Sequence, residues 1–134
     1  MKVLHVLASG GTGGIEVLCK NIALNSNVDN RWAFLFNEGE MYDELKENNI
    51  KVLSVINEKF FDKINKINKY CKEENIDILV MHHGGLNCNI IYCLLKKYNP
   101  NIKFIRYMHA CYDKYSFGNS TNKLKNLIVK VQMQ

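Results

Sequence analysis

Several features that define other protein classes are missing from this sequence. It contains one proline in 134 residues, which excludes collagen-like and proline-rich segments. No apolar run approaches the roughly 18 residues that a membrane-spanning helix requires. None of the five cysteines forms a Cys-x-x-Cys pair, so the pattern indicates neither a disulfide framework nor a redox motif. We therefore expect the cysteines to be small buried hydrophobic side chains.

What remains is the composition of one globular domain. Hydrophobic residues make up 47% of the chain and charged residues 23%, and 134 residues suit a single domain. The apolar start, residues 1–8, is too short for a signal peptide and is followed by a glycine-rich segment instead of a cleavage site. The sequence therefore predicts a cytoplasmic protein.

Acidic residues are nearly absent from the last part of the chain. Residues 96–134 carry eight basic side chains and only Asp113 as an acid, whereas residues 1–95 carry ten basic and twelve acidic side chains. A basic block attracts phosphates, nucleic acid or anionic membranes. No nucleic-acid-binding motif accompanies it, so we expect no nucleic-acid partner and a peripheral contact with the inner membrane face through residues 96–130. An ordinary solvated surface is the alternative.

Short apolar runs alternate with amphipathic segments along the chain. Strands are predicted at residues 2–8, 31–37, 51–56, 76–81 and 103–108, and helices at residues 15–25, 41–49, 60–71 and 85–98, with a last helix beginning near Ser120 or Thr121. This order predicts a Rossmann-like, doubly wound parallel α/β sheet in three α/β/α layers, with about five strands in the order 3-2-1-4-5. The last helix lacks a stop signal, which indicates a fold that is incomplete at its C-terminus.

Glycine and polar residues follow the predicted strands at their carboxyl ends, where open α/β sheets bind ligands. The loop at residues 9–14 suits a phosphate or sugar hydroxyls, because glycines allow close backbone approach and the next helix directs free N–H groups outward. The dinucleotide fingerprint matches only in part, since Glu16 stands where Gly or Ala is required, and no Gly-Lys-Ser/Thr motif follows. A loop needed only for tight strand–helix packing is the alternative. Glu16 either complements the helix dipole or accepts a hydrogen bond from a ligand or from the loop.

Three histidines, His82, His83 and His109, also fall at this edge. Neighbouring residues of a strand point to opposite faces, so His82 and His83 are not placed to share a metal ion. No cysteine or carboxylate completes a ligand set with familiar spacing, and we predict no metal site. His109, at the end of the fifth predicted strand, is placed to reach a bound hydroxyl. His5 lies in the middle of a strand and is expected to be a packed residue.

Five segments in order resemble the N-terminal domain of family 4 glycosyltransferases. They are residues 1–6, the Gly13-Gly14-Ile15-Glu16 motif, residues 38–52, residues 77–82 and residues 107–109. The chain departs from the family's pattern at two positions, because Val80 stands where a histidine is frequent and Ala110 where an aspartate is frequent.

The resemblance implies the GT-B architecture of two facing Rossmann-like domains, with residues 1–134 as the acceptor-side N-terminal domain and the C-terminal donor domain absent. The intact enzyme would be a hexosyltransferase of cell-envelope polysaccharide biosynthesis. It would move a sugar from a nucleotide-sugar to a glycan or lipid acceptor with retention, without a metal or other cofactor. The chain alone is expected to be inactive.

Residue roles follow from the same resemblance. His109 would be the catalytic residue that hydrogen-bonds the donor sugar. Gly13 and Gly14 would bring backbone N–H groups to the donor, Glu16 would brace that loop or meet the acceptor, and His82 completes the substrate-binding set. The alternative function is a stand-alone, flavodoxin-like regulatory module that binds a nucleotide or phosphate, which predicts micromolar binding without a partner domain.

Overall fold

The computed structural model describes residues 1–107, in which five strands alternate with four helices. The strands are β1 (Lys2–Ser9), β2 (Asp29–Asn37), β3 (Val52–Ser54), β4 (Ile78–Met81) and β5 (Lys103–Arg106), and the helices are α1 (Gly14–Asn25), α2 (Gly39–Glu47), α3 (Phe60–Glu73) and α4 (Leu86–Tyr98). No helix in this part of the chain is long and apolar enough to cross a membrane. The predicted last helix, His109 and Cys111 lie outside the described residues.

The sheet is parallel throughout and has the order β3-β2-β1-β4-β5, which confirms the predicted order and the Rossmann-like class. β1 lies at the centre and pairs with both β2 and β4. The chain therefore reverses its direction of winding at β1, and the loops that follow β1 and β4 lie beside each other. Crevices of this kind, at the carboxyl ends of the strands, are where such folds bind ligands.

Two apolar layers cover the two faces of the sheet. Alternation along β1 directs Leu4 and Val6 towards α3 and α4, and Leu7 towards α1 and α2. Trp32 and Phe34 of β2 join Leu7 and are fully buried. The three-layer α/β/α arrangement is thus built by strands whose side chains are buried on both faces, as parallel sheets require.

β3 covers only Val52–Ser54 of the predicted residues 51–56, and a lysine side chain bonds the backbone just beyond it. Lys63 of α3 is only 5% exposed, and its ammonium donates to the carbonyls of Val55 and Ile56 at 2.6 and 2.9 Å. The Val55 N–H still donates to the Phe34 carbonyl of β2 at 3.1 Å, and the chain turns towards α3 after it. Burial lowers the pKa of Lys63, an effect that the nearby Glu58 carboxylate partly opposes. Lys63 stands three residues after Phe60 and four before Ile67, on the apolar stripe of α3, so helical periodicity already favours its burial.

The opposite, amino-terminal edge of the sheet is held by ion pairs. Arg31 at the start of β2 is 2% exposed and bonds both carboxylate oxygens of Asp29 at 3.2 Å, and it also pairs with Glu74 after α3. The hydrogen bonds from Arg31 hold the pKa of Asp29 below its usual value. The charged side chains at this edge therefore pair with one another.

The cysteine prediction is confirmed for three residues and wrong for one. Cys19, Cys71 and Cys88 are buried in the apolar layers, whereas Cys93 on α4 is exposed. Burial raises the pKa of Cys19 and Cys71 to about 12, so these thiols stay protonated near neutral pH.

Candidate functional site

The loop after β1 and the turn after β2 are joined through the backbone of one glycine. The Gly10 N–H donates to the Asn37 carbonyl at 3.0 Å, and the Gly10 carbonyl accepts from the Met41 N–H at 3.1 Å. The glycine-rich loop is therefore fastened to the beginning of α2, and both lie at the carboxyl edge of the sheet.

The glycines of this edge fall into two kinds. A β-carbon on Gly10 would lie 2.0 Å from the Glu38 carbonyl oxygen, and one on Gly39 would lie 2.2 Å from the Gly10 oxygen. Gly39 also has a φ of +55°, a conformation that favours glycine. By contrast, a β-carbon on Gly14 would meet nothing within 4 Å. Packing therefore requires Gly10 and Gly39, whereas Gly14 leaves the backbone accessible from outside.

Gly13 makes room for a side chain of its own helix. It is the N-cap of α1, with φ −73° and ψ 171°, and its carbonyl accepts the first helical bond from Val17. A β-carbon on Gly13 would lie 2.4 Å from Oε2 of Glu16, because the Glu16 side chain folds back over the N-cap. An acid in the first turn of a helix also lies near the positive end of the helix dipole. The Gly13-x-x-Glu16 spacing is thus a local structural unit.

Glu16 is held from the other side by His83, which follows β4. Oε1 of Glu16 lies 3.3 Å from Nε2 of His83, and Nδ1 of His83 lies 3.1 Å from the Ala8 backbone nitrogen. Because the Ala8 N–H donates to Nδ1, the imidazole proton resides on Nε2 and faces the carboxylate. The side chains of His83 and Glu16 are only 17% and 12% exposed, so the contact is largely shielded from water.

His82, by contrast, lies in a buried row of rings beneath this edge. It is 4% exposed, and its Nε2 lies 2.8 Å from Nδ1 of His5, whose Nε2 lies 3.0 Å from Oδ1 of Asn30. The amide oxygen only accepts, so His5 donates to Asn30 and accepts from His82. Trp32 stacks on His5 with ring centroids 4.2 Å apart. Burial lowers the pKa of His5, and the bond to Asn30 offsets part of that effect.

A shallow groove of about 50 Å³ lies between α1 and α2, with Glu16 among its lining residues. Its lining residues are Gly11, Thr12, Glu16, Val17, Lys20, Glu40, Met41 and Glu44. Lys20 pairs with Glu44 at 2.9 Å. Glu16 and Glu40 are the other carboxylate side chains of the lining. Within residues 1–107, no group of three or more His, Cys, Asp or Glu side chains is placed to hold a metal ion.

The structure brings some of the predicted site residues together and separates others. Gly13 and Gly14 are exposed, and Glu16 lies beside them with its side chain largely shielded from water. His82 is in the interior, and its predicted part in substrate binding stays a prediction, as does the catalytic role of His109 beyond the described residues. The sequence argument missed His83, because its contacts depend on how the loop after β4 meets α1.

Comparisons with known proteins identify the fold. No family model matches the chain, and no curated protein sequence matches it. Among solved structures, the chain is similar to Anabaena Alr3699/HepE in complex with UDP, with a TM-score of 0.69 and 17% identity over 98% of the chain. The chain spans 34% of the length of that protein. At this level of identity the likeness shows a shared fold.

Proposed function

We propose that the chain is the acceptor-side domain of a glycosyltransferase that uses a nucleotide-sugar donor. The observation that carries the proposal is the shared fold over 98% of the chain with a protein that holds UDP. The Gly13-Gly14-x-Glu16 motif supports it, because it stands at the carboxyl edge where this fold binds ligands. The chain spans 34% of the length of that protein, so the activity of a complete enzyme is part of the proposal.

The finer proposal follows the resemblance to family 4 glycosyltransferases of GT-B architecture. The complete enzyme transfers a hexosyl group with retention to a glycan or lipid acceptor and requires no metal ion, and a separate domain binds most of the donor nucleotide. Contact of residues 96–130 with an anionic membrane at its cytoplasmic face belongs to this proposal. Lys96 and Lys97 in the last turn of α4 are the part of that basic segment with a described position on a helix.

The proposal assigns a role to Gly14, Glu16 and His109. Gly14 admits the donor sugar or its phosphates close to the backbone, where the first turn of α1 offers N–H groups and the positive end of the helix dipole. Glu16 accepts hydroxyl hydrogens of the acceptor in the groove. His109 donates a hydrogen bond to the transferring sugar.

The test is to map UDP-glucose on the 15N-labelled chain by NMR. We expect amide shifts at residues 11–14 and 83–85, millimolar affinity, and no release of nucleotide, because transfer requires both domains to hold donor and acceptor together. Micromolar binding without a partner domain would favour the stand-alone regulatory module. Shifts confined to the ion-paired edge around Arg31, or no shifts at all, would contradict the proposal.

A further inference from the structure

His83 joins three separate parts of the chain. The imidazole accepts the backbone N–H of Ala8 at the end of β1 and contacts the carboxylate of Glu16 in the first turn of α1, while its own backbone follows β4. Both ring nitrogens are therefore engaged, and each sets the role of the other. A ring held at Nδ1 by a backbone amide has a fixed orientation and a fixed tautomer.

We propose that His83 is a positioning residue that holds the carboxylate of Glu16 in the groove between α1 and α2. The inference rests on the proposed function for the ligand that Glu16 meets, and it stands on geometry for the positioning itself. A glutamate in the first turn of an exposed helix ordinarily samples several rotamers. Here Gly13 leaves space on one side and Nε2 of His83 lies 3.3 Å from Oε1 on the other, and these two contacts favour one rotamer.

The fixed carboxylate explains what the groove selects. Glu16 and Glu40 both line the groove, so two carboxyl side chains are available there as hydrogen-bond acceptors. Carboxylates accept hydrogen bonds from hydroxyl groups and repel anions. The groove therefore takes an uncharged, hydroxyl-bearing sugar in preference to one that carries a carboxylate.

The positioning is measured without any ligand. NMR of the labelled chain should show His83 as the Nε2–H tautomer and should show three-bond couplings of Glu16 that correspond to one rotamer. His83→Ala should average those couplings, whereas His83→Gln, which retains one acceptor and one donor, should restore them. A Glu16 side chain that is already averaged in the natural chain, or that stays fixed in His83→Ala, would overturn the positioning role.

The groove is tested with methyl α-D-glucopyranoside, with glucuronate as the anionic comparison. We expect the glucoside to shift the amides of Thr12 and Val17, and its affinity to fall about tenfold in His83→Ala and in Glu16→Gln, the loss expected for one hydrogen bond to a charged group. His83→Gln should retain most of the binding. Glu47→Gln, the same change at an exposed position of α2, is the matched control and should change nothing.

Two further results keep the proposal falsifiable. The double variant of His83→Ala and Glu16→Gln should bind no more weakly than either single variant, and additive losses would overturn action through Glu16. If His83→Ala does not fold, His83→Gln and Glu16→Gln carry the same comparison. Failure of the natural chain to bind the glucoside, with Glu16 still fixed by His83, would contradict the proposed function and leave the positioning intact.

Discussion

Gly10→Ala should destabilise the protein strongly, whereas the same change at Gly14 should not. The added methyl group at position 10 would lie 2.0 Å from the Glu38 carbonyl oxygen and 2.7 Å from Cε1 of Phe34. Phe34 is fully buried, so it has little room to withdraw, and the Glu38 carbonyl belongs to the backbone that leads into α2. Relief of the contact requires the two loops to separate.

The expected loss is about 3 kcal/mol. Overpacking a filled site typically costs about 1–3 kcal/mol. Separation of the loops also stretches the bond from the Gly10 N–H to the Asn37 carbonyl, and a hydrogen bond of this kind contributes about 1 kcal/mol. At Gly14, the first residue of α1, a methyl group meets nothing within 4 Å. Alanine there should be neutral or stabilising by up to about 1 kcal/mol, because it restricts the unfolded chain.

Urea unfolding followed by tryptophan fluorescence measures both variants, since Trp32 is the single tryptophan and is fully buried. With m-values of about 1–3 kcal/mol/M, the Gly10→Ala midpoint should fall by at least about 1 M relative to the natural chain. A third variant, Gly14→Val, separates the effect on folding from the effect on ligand binding, because it should weaken UDP-glucose binding at unchanged stability. A Gly10→Ala variant as stable as the natural chain, or a Gly14→Ala variant equally damaged, would refute the division of the glycines.

Two further perturbations test the buried polar groups. The free energy of unfolding should fall as the pH drops from 7.5 to 5.0, because burial lowers the pKa of His5 in the folded state, so the unfolded chain takes up a proton first, below about 6.5. His5→Gln should flatten that slope in urea titrations at several pH values, and an equally steep slope would assign the effect to other groups. Lys63→Met should cost about 2 kcal/mol, since it keeps the apolar stem but removes the donor to Val55 and Ile56. Lys66→Met removes only an exposed pair with Glu58 and should cost less than about 0.5 kcal/mol by the same urea assay, so equal losses in the two variants would show that burial of Lys63 is not what matters.

The sequence by itself determined the class of fold and the edge of the sheet that gathers the candidate site residues. Short continuous apolar runs and helical stripes of period 3.6 are local patterns, so the nine elements of residues 1–107 followed from them. Right-handed crossovers then leave few strand orders, and the predicted order is the observed one. The glycine-rich loop after β1 and the histidines after β4 necessarily fall at the same end of a parallel sheet.

Only the tertiary structure decided which residues at that edge act on one another. The sequence presented 9–14 as one glycine-rich loop, whereas the structure separates Gly10, which is packed against the Glu38 backbone, from Gly14, which is open. The family pattern placed His82, and not His83, among the substrate-binding residues. In the fold, His82 is buried and hydrogen-bonded to His5, whereas His83 contacts the carboxylate of Glu16.

The reason is the range of the forces concerned. Hydrophobic periodicity is a pattern among residues that are near neighbours in the chain, so the sequence alone shows it. Hydrogen bonds and steric contacts depend on differences of a few tenths of an ångström in the distances between segments that are far apart in the chain. The bonds from Lys63 to the carbonyls of Val55 and Ile56 are decided in the same way. The packing of neighbouring loops thus decides the role of a polar side chain. It can bind a ligand, position another side chain or face the solvent.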